Sequence, residues 1–275
     1  MSPGRQSNPP SQDPFEGLAR GAALPDVRNP DPTRFTDAEW RLRVELAIAY
    51  RLIAQLGMDD AIFTHLSLRV PGDKPAFLIN PYGMLFDEVT ASSLVKVDVD
   101  GNKLGDSAWP VNPAGFSIHS AIHMGAPDAH CIFHTHTLAG MAVAADPQGL
   151  RPLNQISLHF YNRIGRYSYD TIHFPDQEKR RMVAALGSHR ALIMECHGLL
   201  TCGATVAEAF YTMYYLERAC RLQMQVLAMP GPHLQPAPEV CEEVARLFDS
   251  RPRQKQDFWV PFVRRVLRET PEVGS

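Results

Sequence analysis

Apolar positions recur along the chain at helical spacing in some stretches and in short alternating runs between them. Leu42, Leu46, Ala49, Tyr50, Ile53 and Leu56 mark one face of a helix predicted over 36–57. The segment Thr36-Asp37-Ala38-Glu39 at its start has the form of a capping box, and Phe35 with Trp40 stands at the spacing of a hydrophobic staple. Val206, Ala209, Phe210, Met213, Leu216 and Cys220 define a second long helix, 205–229, which Pro230-Gly231-Pro232 breaks. Shorter helices are predicted at 114–123, where Asn112 caps and Pro113 takes the first helical position, at 138–145, at 176–186 with Gly187 as the stop, and at 254–268. Apolar or alternating runs bounded by Pro-Gly, Asn-Pro and Asp-Gly turns predict strands at 63–70, 77–80, 94–98, 131–133, 191–194 and 199–202. The aromatic-rich stretch 147–174 is irregular, with room for one or two strands. Helices interleaved with strands in this way predict a layered α/β domain.

Composition refines the boundaries. Residues 1–35 are rich in Pro, Gly, Asn and Asp without apolar periodicity, which predicts a flexible N-terminal arm. The catalytic domain is then expected over 36–230, with 231–275 as a C-terminal extension carrying one helix. A net charge of −3 creates no basic field, so nucleic acid and anionic membrane surfaces are not expected partners. No apolar run approaches the length of a membrane span, and the first residues lack the apolar core of a signal peptide, so a cytoplasmic location is expected. Five cysteines, an odd number with no CxxC pair, fit a reducing compartment without disulfides.

The chemistry lies in the histidines. His134 and His136 follow an apolar strand two residues apart, a spacing that turns both rings to one side. His197 stands beyond another apolar strand and before Gly198, where neighbouring strand ends could bring it to the same place. Three neutral imidazoles suit Zn²⁺, Mn²⁺ or Fe²⁺ and leave coordination positions open, the pattern of a catalytic rather than a closed structural site. His65, after Thr64 at a strand start, is either a pocket residue or a satisfied structural histidine. His119 and His123, four apart on a helix, form a second and weaker candidate metal pair.

Taken in order, the run 63–69, Ile79-Asn80-Pro81-Tyr82-Gly83, the stretch 88–96, Asn112-Pro113-Ala114-Gly115-Phe116, His134-Thr135-His136 and Cys196-His197-Gly198-Leu199 resemble the class II aldolase/adducin family. The similarity is nearest to the adducin-type branch and covers about residues 38–229. The resemblance implies a three-layer α/β/α single domain, a homotetramer or larger homo-oligomer, and a divalent metal held by His134, His136 and His197, with zinc expected ahead of manganese or iron. It implies a small-molecule substrate and places Asn80, Gly83, Asn112 and Gly115 at the substrate pocket, with His65 and Tyr82 orienting or protonating the substrate. The aromatic group His159, Phe160 and Tyr161 reads either as core or interface packing or as the lining of a substrate site facing a neighbouring subunit. Departures matter as much. The family's acid/base glutamate corresponds to Gly115, its phosphate-binding serines to Pro113 and Ala114, and the asparagine of its early phosphate loop to His65. None of the first three can transfer a proton or donate a side-chain hydrogen bond. The implied activity is therefore a metal-dependent carbon–carbon lyase on a small non-phosphorylated oxo or hydroxy carboxylic acid, with decarboxylation preferred to retro-aldol cleavage. An iron-dependent oxygenase of aromatic 2-oxo acids and a non-catalytic adducin-like scaffold are the alternatives.

Overall fold

A computed structural model of the chain describes residues 28–72, 74–168 and 175–275. Helix α1 (Asp37–Gln55) starts at Thr36, whose hydroxyl accepts from the Glu39 amide at 3.2 Å. The reciprocal half of the capping box is not made: the Glu39 carboxylate pairs instead with Arg43 and Lys96, each at 2.8 Å. Phe35 and Trp40 stack with centroids 5.5 Å apart, so the chain is tied down before the helix begins. Asn29 also holds the Phe35 carbonyl, and residues 1–27 of the expected N-terminal arm lie outside the described ones.

Strands β1 (His65–Val70), β2 (Ala76–Ile79), β3 (Val95–Asp98), β4 (Cys131–Thr135), β5 (Ile164–Tyr167), β6 (Ala191–Met194) and β7 (Gly198–Gly203) form one sheet in the order β3-β2-β1-β4-β7-β6-β5. All neighbours are antiparallel except β5 and β6. Alternation along the strands sends Leu66, Leu68, Cys131, Phe133, Ile193 and Leu199 to one face. There they meet α1, α3 (Leu138–Ala144), α5 (Val206–Ala228) and, near the C-terminus, α7 (Pro252–Glu269). Ile132, Leu192, Met194, Leu200 and Cys202 point to the other face and pack on Ile118 and Ile122 of α2 (Pro113–Gly125) and Met182 and Leu186 of α4 (Asp176–Leu186). With both faces covered, every central strand is buried, and the architecture is the expected three-layer α/β/α single domain.

The C-terminal region departs from expectation. It holds two helices, α6 (Pro238–Asp249) and α7, followed by a 3₁₀ turn at Pro271–Gly274. Pro238 occupies the first turn of α6, where a missing N–H costs nothing. Nor is this region an appendage. Trp259, Val263, Val266, Leu267 and Val273 are buried in the main core, and the Val273 and Ser275 carbonyls accept from the Ala91 and Ser92 amides. The irregular stretch contains a 3₁₀ turn at Ser157–Phe160 and the strand β5; residues 169–174 of it lie outside the described ones.

Candidate metal centre

Register builds the site. In the β1–β4 ladder His65 stands directly opposite His134, and in the β4–β7 ladder Leu200 stands opposite His134 on the other side. His136 follows just past the end of β4, and His197 sits in the turn joining β6 to β7. That turn is tight: Cys196 adopts φ +53°, a left-handed conformation unfavourable for a residue with a Cβ. Gly198 is required beside it. A Cβ there would fall 2.5 Å from the Thr135 carbonyl oxygen and 3.1 Å from His136 Cδ2, so only hydrogen lets the hairpin press against the end of β4.

The three rings converge. His134 Nε2 lies 2.9 Å from His136 Nε2, which lies 3.0 Å from His197 Nε2, and the three ligating nitrogens all fall within 4.8 Å of one another. The partners on the far side of the rings fix what faces inward. His134 Nδ1 donates to the Leu199 carbonyl at 3.0 Å, and His136 Nδ1 to the Asp60 carboxylate at 2.9 Å. A metal ligand must be a neutral ring, and with Nδ1 donating in both rings the two Nε2 atoms then present lone pairs aimed at one point. A cation relieves that opposition. Zinc–nitrogen bonds of about 2.05 Å at a tetrahedral angle separate ligand nitrogens by roughly 3.3 Å, a few tenths more than the two short spacings here. Burial, and next the neighbouring His65, hold the His134 pKa well below the usual imidazole value; burial, then His136, push that of His197 down to about 4. Both favour the deprotonated form that binds metal. The donor set fits a divalent first-row ion, with Asp60 orienting one ligand from behind.

Around the triad lies a cleft of about 410 Å³ whose walls include Asp60, Phe63, His65, Tyr82, Asn112, Ala114 and Ile118. Of the sequence-predicted residues, His65, Tyr82 and Asn112 therefore reach the cleft. Asn112 also caps α2, its Oδ1 accepting from the Ala114 and Gly115 amides. Five others stand outside the cleft wall of this single chain. Asn80 is buried, and its Oδ1 accepts from the Tyr50 hydroxyl at 2.9 Å, so it serves the core. Gly83 is an exposed turn residue at φ +99° outside the cleft wall. Gly115 is covered by the His65 ring rather than open to the cleft: a Cβ built on it would fall 2.8 Å from His65 Nε2 and closer still to Cδ2. His159 packs among Tyr211, Tyr215 and Phe248 under α6, because the unforeseen α6 covers it. Tyr161, beside it, is likewise outside the cleft wall and accepts from Arg163 through its carbonyl. Asp60, Phe63 and Ile118 were not anticipated. No spacing signals them, because they join the cleft only through the pairing of β1 with β4 and the seating of α2.

A family description, class II aldolase and adducin N-terminal domain, matches residues 44–224 of this histidine-bearing fold. The chain belongs to the class II aldolase/adducin family. A Pseudomonas aeruginosa protein provisionally named an aldolase class 2 protein is 44% identical over 241 residues, covering 85% of this chain and 92% of that protein. Rat alpha-adducin is 40% identical over 209 residues, 75% of this chain, and the match spans only 28% of the adducin. Among solved structures, an aldolase II superfamily protein from Pseudomonas syringae superposes with TM-score 0.83 at 40% identity, covering 88% of this chain and 98% of the other. L-fuculose 1-phosphate aldolase from Glaciozyma antarctica PI12 gives TM-score 0.76 at 27% identity, over 93% of this chain and 97% of the other. In this class II aldolase/adducin chain the triad could hold a divalent metal, on which class II aldolases typically depend. Among the described residues no helix is long and apolar enough to cross a membrane.

Proposed function

We propose that the chain is a divalent-metal-dependent carbon–carbon lyase acting on a small, non-phosphorylated hydroxy or oxo carboxylic acid. Family membership supports the coarser statement, a metal-dependent aldolase-like lyase. The observation that carries the proposal is the convergence of three imidazole nitrogens, two of them with lone pairs fixed inward by Leu199 and Asp60. His134, His136 and His197 hold the ion, zinc in the first instance, and the bound ion supplies Lewis-acid polarisation of a substrate oxygen.

The rest is done by the chain's own groups. Tyr82 offers a hydroxyl to a substrate carboxylate, and Asn112 keeps its amide NH₂ for the substrate while its oxygen caps α2. A phosphate would need donors or cations, and among the described residues the cleft wall includes no lysine or arginine, while Pro113 and Ala114 have no side-chain donor. A glycine at 115 argues against a base on that side chain and so for decarboxylation. The His65 imidazole lying over Gly115 supports a proton-handling group in the same space, which keeps retro-aldol cleavage within the proposal. A homotetramer or larger assembly completes it, checked by sedimentation.

Elemental analysis of the purified protein beside His134→Ala tests the site: about one ion per chain is expected in the first and little in the second. A screen of hydroxy and oxo acids, reading aldehyde, CO₂ and dioxygen uptake, tests the reaction. Equal and negligible metal in both proteins, with no turnover, would leave a scaffold; dioxygen uptake with Fe²⁺ would leave an oxygenase.

A further inference from the structure

Behind His65 lies a row of polar groups that the lyase proposal leaves unused. His65 and Ser67 are two apart on β1 and share a face, while His119 and His123 are four apart on α2 and face them. Two strand residues advance about 6.6 Å and four helical residues about 6 Å, so the two rows interlock like a zipper. The contacts run without a break. His65 Nδ1 meets His119 Nε2 at 2.7 Å, His119 Nδ1 meets the Ser67 hydroxyl, that hydroxyl meets His123 Nε2 at 2.8 Å, and His123 Nδ1 meets the Ala129 carbonyl at 3.1 Å. All four side chains are buried.

The last partner sets the direction of every bond. A carbonyl can only accept, so His123 donates through Nδ1 and its neutral ring must accept at Nε2. Ser67 therefore gives its single proton to His123 and can only accept from His119. His119 then donates through Nδ1 and accepts at Nε2, which obliges His65 to donate through Nδ1. Burial, the leading cause at both helical rings, disfavours the charged form of His119 and His123. Arg69 adds to this at His123.

We propose that His119, Ser67 and His123 are positioning residues that lock His65 in its Nδ1–H tautomer, so that the cleft receives an Nε2 lone pair and takes a substrate hydroxyl, rather than a carboxylate, at that position. With His65 stacked on His134 at a centroid separation of 5.0 Å, the hydroxyl lies within a few bonds of any oxygen held at the triad. The fitting substrates are hydroxy acids and hydroxy carbonyl compounds, a narrowing of the lyase proposal that depends on it for the use of the cleft but not for the tautomer.

Long-range proton–nitrogen correlation spectra of the ¹⁵N-histidine-labelled chain, before and after Zn²⁺ addition, read the tautomers directly. The wild type is expected to show His65, His119 and His123 all protonated at Nδ1; His65 protonated at Nε2 overturns the proposal. His123→Phe keeps a ring beside Phe77, 4.8 Å away, but removes the acceptor. Ser67 then donates to His119, and the relay inverts, leaving His65 protonated at Nε2; a folded variant with an unchanged His65 refutes the relay. If that variant does not fold, Ser67→Ala should populate the Nε2–H form and Ser67→Thr restore the original one, and no response to either refutes it equally. For the substrate half, affinities of glycolate and malonate for the Zn²⁺-loaded protein are compared by calorimetry. The glycolate-to-malonate ratio should fall roughly tenfold or more in His123→Phe, since a donor now faces the carboxylate. An unchanged ratio removes the hydroxyl assignment. Absence of Zn²⁺ binding would count against the lyase site, while the spectra would still decide the relay.

Discussion

Gly115→Ala is the smallest change that tests how His65 is seated. The new Cβ would stand 2.8 Å from His65 Nε2 and closer still to Cδ2, where ordinary contact distances are about 3.5–4.0 Å, so something must move by roughly 1 Å or more. His65 is poorly able to move: its Nδ1 is held at 2.7 Å by His119, and one face is stacked on His134. Overpacking of this kind costs about 1–3 kcal/mol. Against it, alanine improves on glycine in a helix by about 0.5–1 kcal/mol. The net loss is at most about 2.5 kcal/mol, which at about 2–4 °C per kcal/mol for a chain of this size lowers Tm by up to roughly 10 °C. Thermal unfolding of the single variants and of the double variant with His65→Ala completes a cycle. With the ring gone the overpacking vanishes and only the helical gain remains, so the same substitution should become stabilising by up to about 1 kcal/mol. Equal effects of Gly115→Ala in both backgrounds would refute the close seating of His65 on this glycine, and with it any role for that ring in the space over residue 115.

Asp60→Ala removes the carboxylate that orients His136, and a competitive chelator titration should show metal affinity weakened about 10- to 100-fold; unchanged affinity would mean the contact orients nothing. Stability of the metal-free protein should fall on acidification. Burial first, then Arg69, push the His123 pKa down to about 3, whereas in the unfolded chain it titrates near 6.5, so below 6.5 the unfolded state binds the extra proton. Stability from this ring is whole above pH 6.5 and drains away toward pH 3 at about 1.4 kcal/mol per pH unit, which urea melts at pH 7.5 and pH 5 will register or contradict. Trp259→Ala empties a fully buried indole site between α7 and α5 and should cost about 3–5 kcal/mol in denaturant unfolding, whereas a peripheral extension would lose almost nothing.

Much of the site was legible because its signals are local. His134 and His136 declare themselves through period-two spacing at the end of an apolar run, and His197 through its place in a turn ahead of a glycine. Other signals were ambiguous for reasons that can be named. His119 and His123 have metal-pair spacing, but Ser67 across the interface and the Ala129 carbonyl engage them instead. His159 is polar and surrounded by aromatics in sequence, as pocket residues often are, yet the helix hidden behind Pro236 and Pro238 covers it. Asp60 carries no signal at all, since an acid after a helix end is an ordinary solvated residue until a distant ring comes to face it.

Sequence alone determined most of the helices with their caps, six of the seven strands, a layered α/β domain, and three histidines placed where strands end. Those features depend on neighbours within one or two turns. Tertiary structure alone decided that His65 stands opposite His134, that its ring lies over a residue with no side chain, and that a serine links two helical histidines. Such pairings join residues fifty or more positions apart, and strand register governs them: a slip of β1 by one residue would turn His65 and Ser67 to the opposite face of the sheet, away from His134 and α2, and leave no relay.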